Sequence, residues 1–233
     1  MRILVVEDDE GLNKQLTTAL KNEGYAVDTA FEGEEGKYLG ETETYDAIIL
    51  DLGLPEIDGV SILKSWRSGS DNIPARTTPV LVLTARSTWP EKKAVFDNGA
   101  DDYVTKPFHV EEILARLRAI IRRNAGHASA QIQWGPVLLD TASSRITIDG
   151  APVDLTAHEF RLFSYLMHHP DKVLSRTELQ EHIYDLERDP DSIKDSNTID
   201  VFIARLRKRF PDGIIETIRG RGYRLSPPPD REE

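Results

Sequence analysis

The sequence predicts an α/β domain built on a doubly wound, five-stranded parallel sheet, followed by a smaller α+β domain that ends in a hairpin. Three observations carry that prediction. Up to about residue 124, short apolar runs alternate with amphipathic stretches as five successive βα units, and strands that apolar need cover on both faces. The tract 124–133 ("NAGHASAQIQ") is rich in small residues and weakly periodic, which marks a linker. Past it the pattern changes to short, turn-rich, strand-like segments, three helical segments and the closing "IIETIRGRGYRLS". The boundaries follow as 1–123 for the first domain, 124–130 for the linker, 131–227 for the second domain and 228–233 for a tail.

In chain order, the first strand is 3–6 ("ILVV"), an unbroken apolar run, and a helix at 12–22 follows it. Strand 26–29 and a short helix near 34–39 make the second unit, and strand 47–50 ("AIIL") with helix 60–66 the third. Strand 80–83 ("VLVL") and a helix near 91–98 make the fourth; strand 103–104 and helix 110–123 complete the fifth. In the second domain, strand-like segments run to about residue 153. Residues 197–210 form the last helix, because Ile199, Phe202, Ile203, Leu206 and Phe210 recur at the spacing of one buried stripe. Two short strands then flank residues 220–222.

Composition narrows the function classes. The 233 residues, 39% of them apolar, suffice for two cores. Cysteine is absent, which removes disulfides, thiol catalysis and thiolate metal sites and fits a reducing compartment. No apolar run is long enough for a signal peptide or a bilayer span, so the expectation is a cytoplasmic protein that does not engage a membrane. The net charge of −11 argues against a nucleic-acid partner only as an average. Residues 194–224 carry 8 basic and 4 acidic side chains, a local excess of positive charge.

In a doubly wound sheet the ligand crevice lies beyond the carboxyl ends of the strands. The predicted strand ends bring Glu7, Asp8, Asp9, Asp51, Thr84 and Lys106 to one mouth. Several carboxylates there repel unless a proton or a hard divalent cation intervenes, and Mg2+ fits best. A carboxylate beside such a cation and a lysine can attack a phosphoryl group, and the acyl phosphate it forms stays labile. The Thr84 hydroxyl can hydrogen-bond that group. Singly, Asp51 reads equally as a turn residue, Lys106 as a solvated lysine, Tyr103 as edge-strand packing and Asp9 as a helix cap. Their convergence is what favours a site.

On the last helix, Thr198, Val201, Arg205 and Lys208 share an outer face with Arg207 at its flank. Such a face suits a DNA major groove, where Arg reads guanine edges and Lys holds phosphate, although a merely solvated face is the plain alternative. "ETIRGRGYRLS" places Arg219 and Arg221 at a glycine-permitted turn between Thr217 and Tyr223, within reach of phosphates or a minor groove. Helix plus basic wing makes a winged helix-turn-helix.

"ILVVEDD", "ILDLGLP-x-x-DG", "LTAR" and "GADDYVTKPF" resemble, in order and spacing, the flavodoxin-like receiver domain of two-component response regulators. "LTAHEFRLFSYLMHHPDKVLSRTEL" and "SNTIDVFIARLRKRF…IIETIRGRGYRL" resemble the effector domain of OmpR/PhoB-type transcription factors, and "LTARSTWPEKK" and "SNTIDVFIARLRKRF" are similar to its PhoP-type members. The resemblance implies a phosphoacceptor at Asp51, metal ligation by Glu7, Asp8, Asp51 and the Gly53 carbonyl, and phosphate contact by Lys106. Asp9 ranks below them. It further implies a Thr84–Tyr103 switch pair, and a cis Pro107 that aims Lys106 into the site. It implies DNA contacts from Asn197, Thr198, Val201, Arg205, Arg207, Arg219 and Tyr223, and a weaker phosphate contact from Tyr184.

By the same resemblance, a receiver homodimer forms through intersubunit pairs of Lys92 with Glu112, Asp102 with Arg116, and Asp101 with Arg123. The implied partners are a sensor histidine kinase, paired half-sites in double-stranded promoter DNA, and RNA polymerase. Two departures stand out: the segment 70–79 is longer than usual, and 185–195 is a long acidic loop where polymerase contact occurs in the family. A Mg2+-dependent aspartyl-phosphate phosphatase is the rival from another class. Haloacid-dehalogenase-type enzymes place a second acid two residues after the first, and Gly53 stands there. The expectation is therefore a regulator rather than an enzyme. A module that binds RNA or protein is the other rival.

Overall fold

The computed structural model describes residues 1–69, 72–85, 89–170, 172–183 and 198–226, and the backbone alone at 89–91. Two units divide at Asn124 and Ala125. In the first, β1 (Arg2–Val6), β2 (Ala26–Ala30), β3 (Ala47–Asp51), β4 (Val80–Thr84) and β5 (Asp102–Thr105) pair in parallel, in the order β2-β1-β3-β4-β5. The helices are α1 (Glu10–Asn22), α2 (Gly33–Thr42), α3 (Gly59–Ser68), α4 (Trp89–Asp97) and α5 (Val110–Asn124).

Alternate strand residues feed two cores. Leu4, Val6, Ile48, Leu50, Val80 and Val82 pack against Ile62, Leu63 and Trp66 of α3 and Val95 of α4. Ile3, Val5, Ile49, Leu81 and Leu83 pack against Leu16 and Leu20 of α1 and Ile113, Leu117 and Ile120 of α5. The central strands β1, β3 and β4 are apolar at every position but Arg2, Asp51 and Thr84, because both of their faces are covered. Chain order reverses between β1 and β3, so the crevice opens between their carboxyl ends, after Val6 and at Asp51.

In the second unit, β6 (Gln131–Trp134), β7 (Val137–Asp140), β8 (Arg145–Ile148) and β9 (Ala151–Pro152) form an antiparallel sheet. Three helices follow: α6 (Ala157–His168), α7 (Arg176–Ile183) and α8 (Thr198–Arg207). Thr156 and Glu159 close a reciprocal capping box at the start of α6, a signal readable in "TAHE". Four of the five stripe residues, Ile199, Ile203, Leu206 and Phe210, are buried, with Phe210 stacked on Phe163 at 3.9 Å between ring centres, whereas Phe202 is half-buried against the His158 ring. β10 (Ile215–Ile218) and β11 (Gly222–Leu225) form the closing hairpin. Helix α8 ends at Arg207, short of the predicted 210, because Lys208, Arg209 and Phe210 continue in tight turns.

Candidate acidic pocket and nucleic-acid interface

Beyond β1 the chain bends at Asp8, just after Glu7. The Glu7 N–H donates to the Ala30 carbonyl (3.1 Å), and its own carbonyl accepts from Asn13 Nδ2 (3.0 Å). Asp9 is the N-cap of α1, where its Oδ1 accepts from the Leu12 N–H at 2.7 Å, while its own N–H donates to Glu7 Oε1 at 3.4 Å. Carboxylate oxygens of Glu7, Asp8 and Asp51 lie within 4.8 Å of one another. Glu7 is 0% exposed and Asp51 4%, while Asp8 is open to solvent. The cluster therefore has a buried floor and an accessible rim.

Lys106 reaches in from the end of β5. Its Nζ lies 2.8 Å from Glu7 and 3.1 Å from Asp51. The Lys106–Pro107 peptide is cis, as the resemblance implies. Burial raises the Glu7 carboxyl above the ordinary glutamate value; Lys106 opposes this and the Asp51 charge adds to it. Burial also works against the Lys106 ammonium, but its hydrogen bonds to Glu7 and Asp51 prevail and hold its pKa above the ordinary lysine value. A Cβ at exposed Gly53 would lie 3.2 Å from Asp51 Oδ2, so glycine leaves the open side of that carboxylate clear. Three carboxylates against one ammonium, all oxygen donors with an open rim, fit a hard divalent cation.

Thr84, 2% exposed, ends the neighbouring strand. The Tyr103 ring lies half-buried against α4, edge-on to Phe96 at 5.4 Å, with the Lys92 ammonium 5.0 Å from its centre. Within the chain, Arg116 binds both Asp102 (2.9 Å) and Glu112 (2.8 Å). Asp101 accepts from Arg67 (3.0 Å) and the Val80 N–H (2.8 Å), while the Arg123 guanidinium donates to the Ala119 carbonyl (3.3 Å). Of the three expected pairs, Asp102–Arg116 is thus made inside one chain, and Lys92 and Asp101 hold other partners there.

Sequence reasoning missed Arg67. Its guanidinium, at the end of α3, donates to the carbonyls of Ala75, Gly99 and Thr78 as well as to Asp101. It thereby ties the segment before β4 to the loop before β5. Partners 8 to 34 residues away leave no local signal for such a role. Ser70 and Asp71 of that segment lie outside the described residues.

On the second unit, Val201, Arg205, Arg207 and Lys208 are exposed along and just past α8, with Thr198 half-buried at its start. Arg219 and Arg221 are exposed at the hairpin tip, where Gly220 has φ +71°. Arg207 turns toward the hairpin, donating to the Ile215 carbonyl (2.7 Å) and to Thr217 Oγ1 (2.8 Å). Tyr223 departs from its expected place on the DNA-facing surface. It is 4% exposed, and its hydroxyl donates to Asp200 Oδ1 (2.6 Å) and accepts from Arg176 (3.1 Å). The ring is turned inward because Tyr223 and Leu225 fall on the inner side of β11. Tyr184, Asn197 and the acidic stretch 185–195 lie outside the described residues.

Among the described residues, no helix is long and apolar enough to cross a membrane. Residues 3–118 match the family model of the response regulator receiver domain, and residues 150–225 that of the transcriptional regulatory protein C-terminal domain. The virulence transcriptional regulatory protein PhoP of Salmonella typhi is 41% identical over 228 residues, covering 96% of this chain and 97% of that protein. The transcriptional regulatory protein PhoP of Escherichia coli K12 is 40% identical over 228 residues, covering 96% and 98%. A solved structure, the response regulator DrrB of Thermotoga maritima, an OmpR/PhoB homolog, is 28% identical with a TM-score of 0.46, covering 97% of this chain and 98% of that one. Both domains, in that order and at that identity over nearly the whole length, place the chain in the OmpR/PhoB family of response regulators, among its PhoP-type members, as a phosphorylation-dependent transcriptional regulator.

Proposed function

We propose that Asp51 stores a phosphoryl group received from a sensor histidine kinase in the cytoplasm, and that this drives receiver dimerisation and sequence-specific binding to promoter DNA. The observation that supports this best is the joint position of Glu7, Asp8 and Asp51 at one crevice with Lys106 3.1 Å from Asp51. A Mg2+ ion held by those three carboxylates and the Gly53 carbonyl would supply charge neutralisation for the incoming phosphoryl oxygens. An Asp51 carboxylate oxygen attacks phosphorus; the O–P bond forms as the P–N bond of the kinase phosphohistidine breaks, and the imidazole nitrogen keeps the electron pair. Lys106 shifts from Asp51 to a phosphoryl oxygen, and Thr84 donates its hydroxyl to another. Tyr103 then moves off α4, changing the face that carries Lys92, Asp101, Asp102, Glu112, Arg116 and Arg123.

Dimerisation on that face presents two copies of α8 to successive major grooves, with Arg205 and Lys208 toward the duplex, Arg219 and Arg221 toward the minor groove, and half-sites about one helical turn apart. Contact with RNA polymerase is part of this reading. With Gly53 where a hydrolase would hold its second acid, Asp51 stores the signal and does not turn over substrate. The test is phosphoryl incorporation from acetyl phosphate with Mg2+. Asp51→Asn should abolish it while the protein stays folded, and undiminished labelling of that variant would overturn the assignment.

A further inference from the structure

Asp200 lies in the first turn of α8, Arg176 opens α7 and Tyr223 sits in β11, yet their polar groups close one ring of hydrogen bonds. Arg176 grips Asp200 with two nitrogens, Nε to Oδ1 at 2.8 Å and Nη2 to Oδ2 at 3.1 Å. Nη2 also donates to the Tyr223 hydroxyl (3.1 Å), which donates in turn to Asp200 Oδ1 (2.6 Å). The Arg176 guanidinium lies 5.1 Å from the Tyr223 ring centre and that of Arg207 5.9 Å. Below the ring, the backbones of Tyr223 and Leu174 exchange hydrogen bonds of 2.8 and 2.9 Å. A Cβ on Gly222 would stand 1.9 Å from the Leu174 carbonyl oxygen.

We propose that Asp200, Arg176 and Tyr223 form a clamp that fixes the angle between α8 and the β10–β11 wing, and so sets the spacing at which a duplex must offer its major and minor grooves. Arg176 is a positioning residue here, with no direct contact to phosphate. Its charge is balanced by Asp200, and a carboxylate beside it would repel a phosphate that approached. Both side chains are 40% exposed, so the pair does little for folding and much for orientation. The hydrogen bond from Arg176 holds the Asp200 carboxyl below the ordinary aspartate value. The clamp rests on the reading that α8 and the wing bind DNA.

The test uses full-length protein treated with acetyl phosphate and Mg2+, a duplex enriched from a random-sequence pool by the unaltered protein so treated, and a scrambled duplex of equal length, titrated across salt concentrations. Tyr223→Phe, which keeps the buried ring, and Arg176→Gln should each weaken binding to the enriched duplex about tenfold while changing the scrambled one less than about twofold. The salt slopes should stay those of the unaltered protein. Hydroxyl-radical cleavage should return in the minor groove beneath the wing while major-groove protection under α8 persists. An unchanged ratio of the two affinities in both variants overturns the clamp. A salt slope shallower by about 0.9 in Arg176→Gln also overturns it, since that is the mark of a lost phosphate contact. If the unaltered protein enriches no duplex at all, the DNA reading itself fails, and the clamp with it.

Discussion

Lys106→Met keeps the length of the side chain and deletes the ammonium that lies 2.8 Å from Glu7 and 3.1 Å from Asp51. Both carboxylates are nearly inaccessible, at 0% and 4% exposure, so neither can recover its lost partner from water. Removing one side of a buried ion pair costs about 3–5 kcal/mol; the Lys106 side chain is itself 25% exposed, which puts the expected loss at the lower end, about 3 kcal/mol. Adding Asp51→Asn takes away one of the two stranded acids. The double variant should therefore be more stable than Lys106→Met alone by at least about 1 kcal/mol, a coupling that a double-mutant cycle reads directly. The assay is urea unfolding in cation-free buffer in a Trp134→Phe background, where the fluorescence of Trp66 and Trp89 reports the first unit. A loss under about 1 kcal/mol, or a double variant no better than the single one, refutes the account of Lys106 as the pocket's internal counterion.

Because burial raises the Glu7 carboxyl, the folded protein begins to take up a proton there at a higher pH than the unfolded chain does. Stability of the first unit in cation-free buffer should therefore rise as pH falls from neutral toward the ordinary glutamate value, and Glu7→Gln should flatten that rise in pH-dependent melting curves. Gly222→Ala places a side chain at φ +135° against the Leu174 carbonyl; strain and two weakened backbone hydrogen bonds should cost the second unit about 2–5 kcal/mol, read by calorimetry, and a shift below about 1 kcal/mol contradicts the close approach. Arg205→Ala, on an exposed side chain, should leave melting unchanged and weaken binding to an enriched duplex by about 1–3 kcal/mol; equal affinity removes Arg205 from the interface.

Much of the first unit is legible because its central strands β1, β3 and β4 are almost unbroken apolar runs and its topology forces the strand ends together. Asp51 closes β3 and Glu7 follows β1, so their meeting follows from strand order alone. Strand β5 reads as two residues and spans four, because Asp102 and Thr105 are polar members of an edge strand that one neighbour suffices to pair. In the second unit the apolar stripe of α8 places its outer face correctly, but Tyr223 misleads. An aromatic in a basic hairpin looks like a groove contact, and only the alternation of Tyr223 with Leu225 signals that its ring turns inward. Arg67 and Arg176 are illegible for a different reason. Each finds its carboxylate through tertiary contact, 34 and 24 residues away, and neither spacing belongs to a helix or strand repeat.

The ion pairs on α4, β5 and α5 bear on how strongly two copies of this chain could adhere. Arg116 already holds Asp102 and Glu112, Asp101 already holds Arg67, and the Lys92 ammonium already rests on Tyr103. A second copy docking there would swap existing partners for equivalent ones, so the ionic gain per contact is the small difference between two similar states. If two copies do pair there as proposed, such a face would respond to ring position and protein concentration like a balance near its midpoint, letting go as readily as it grips.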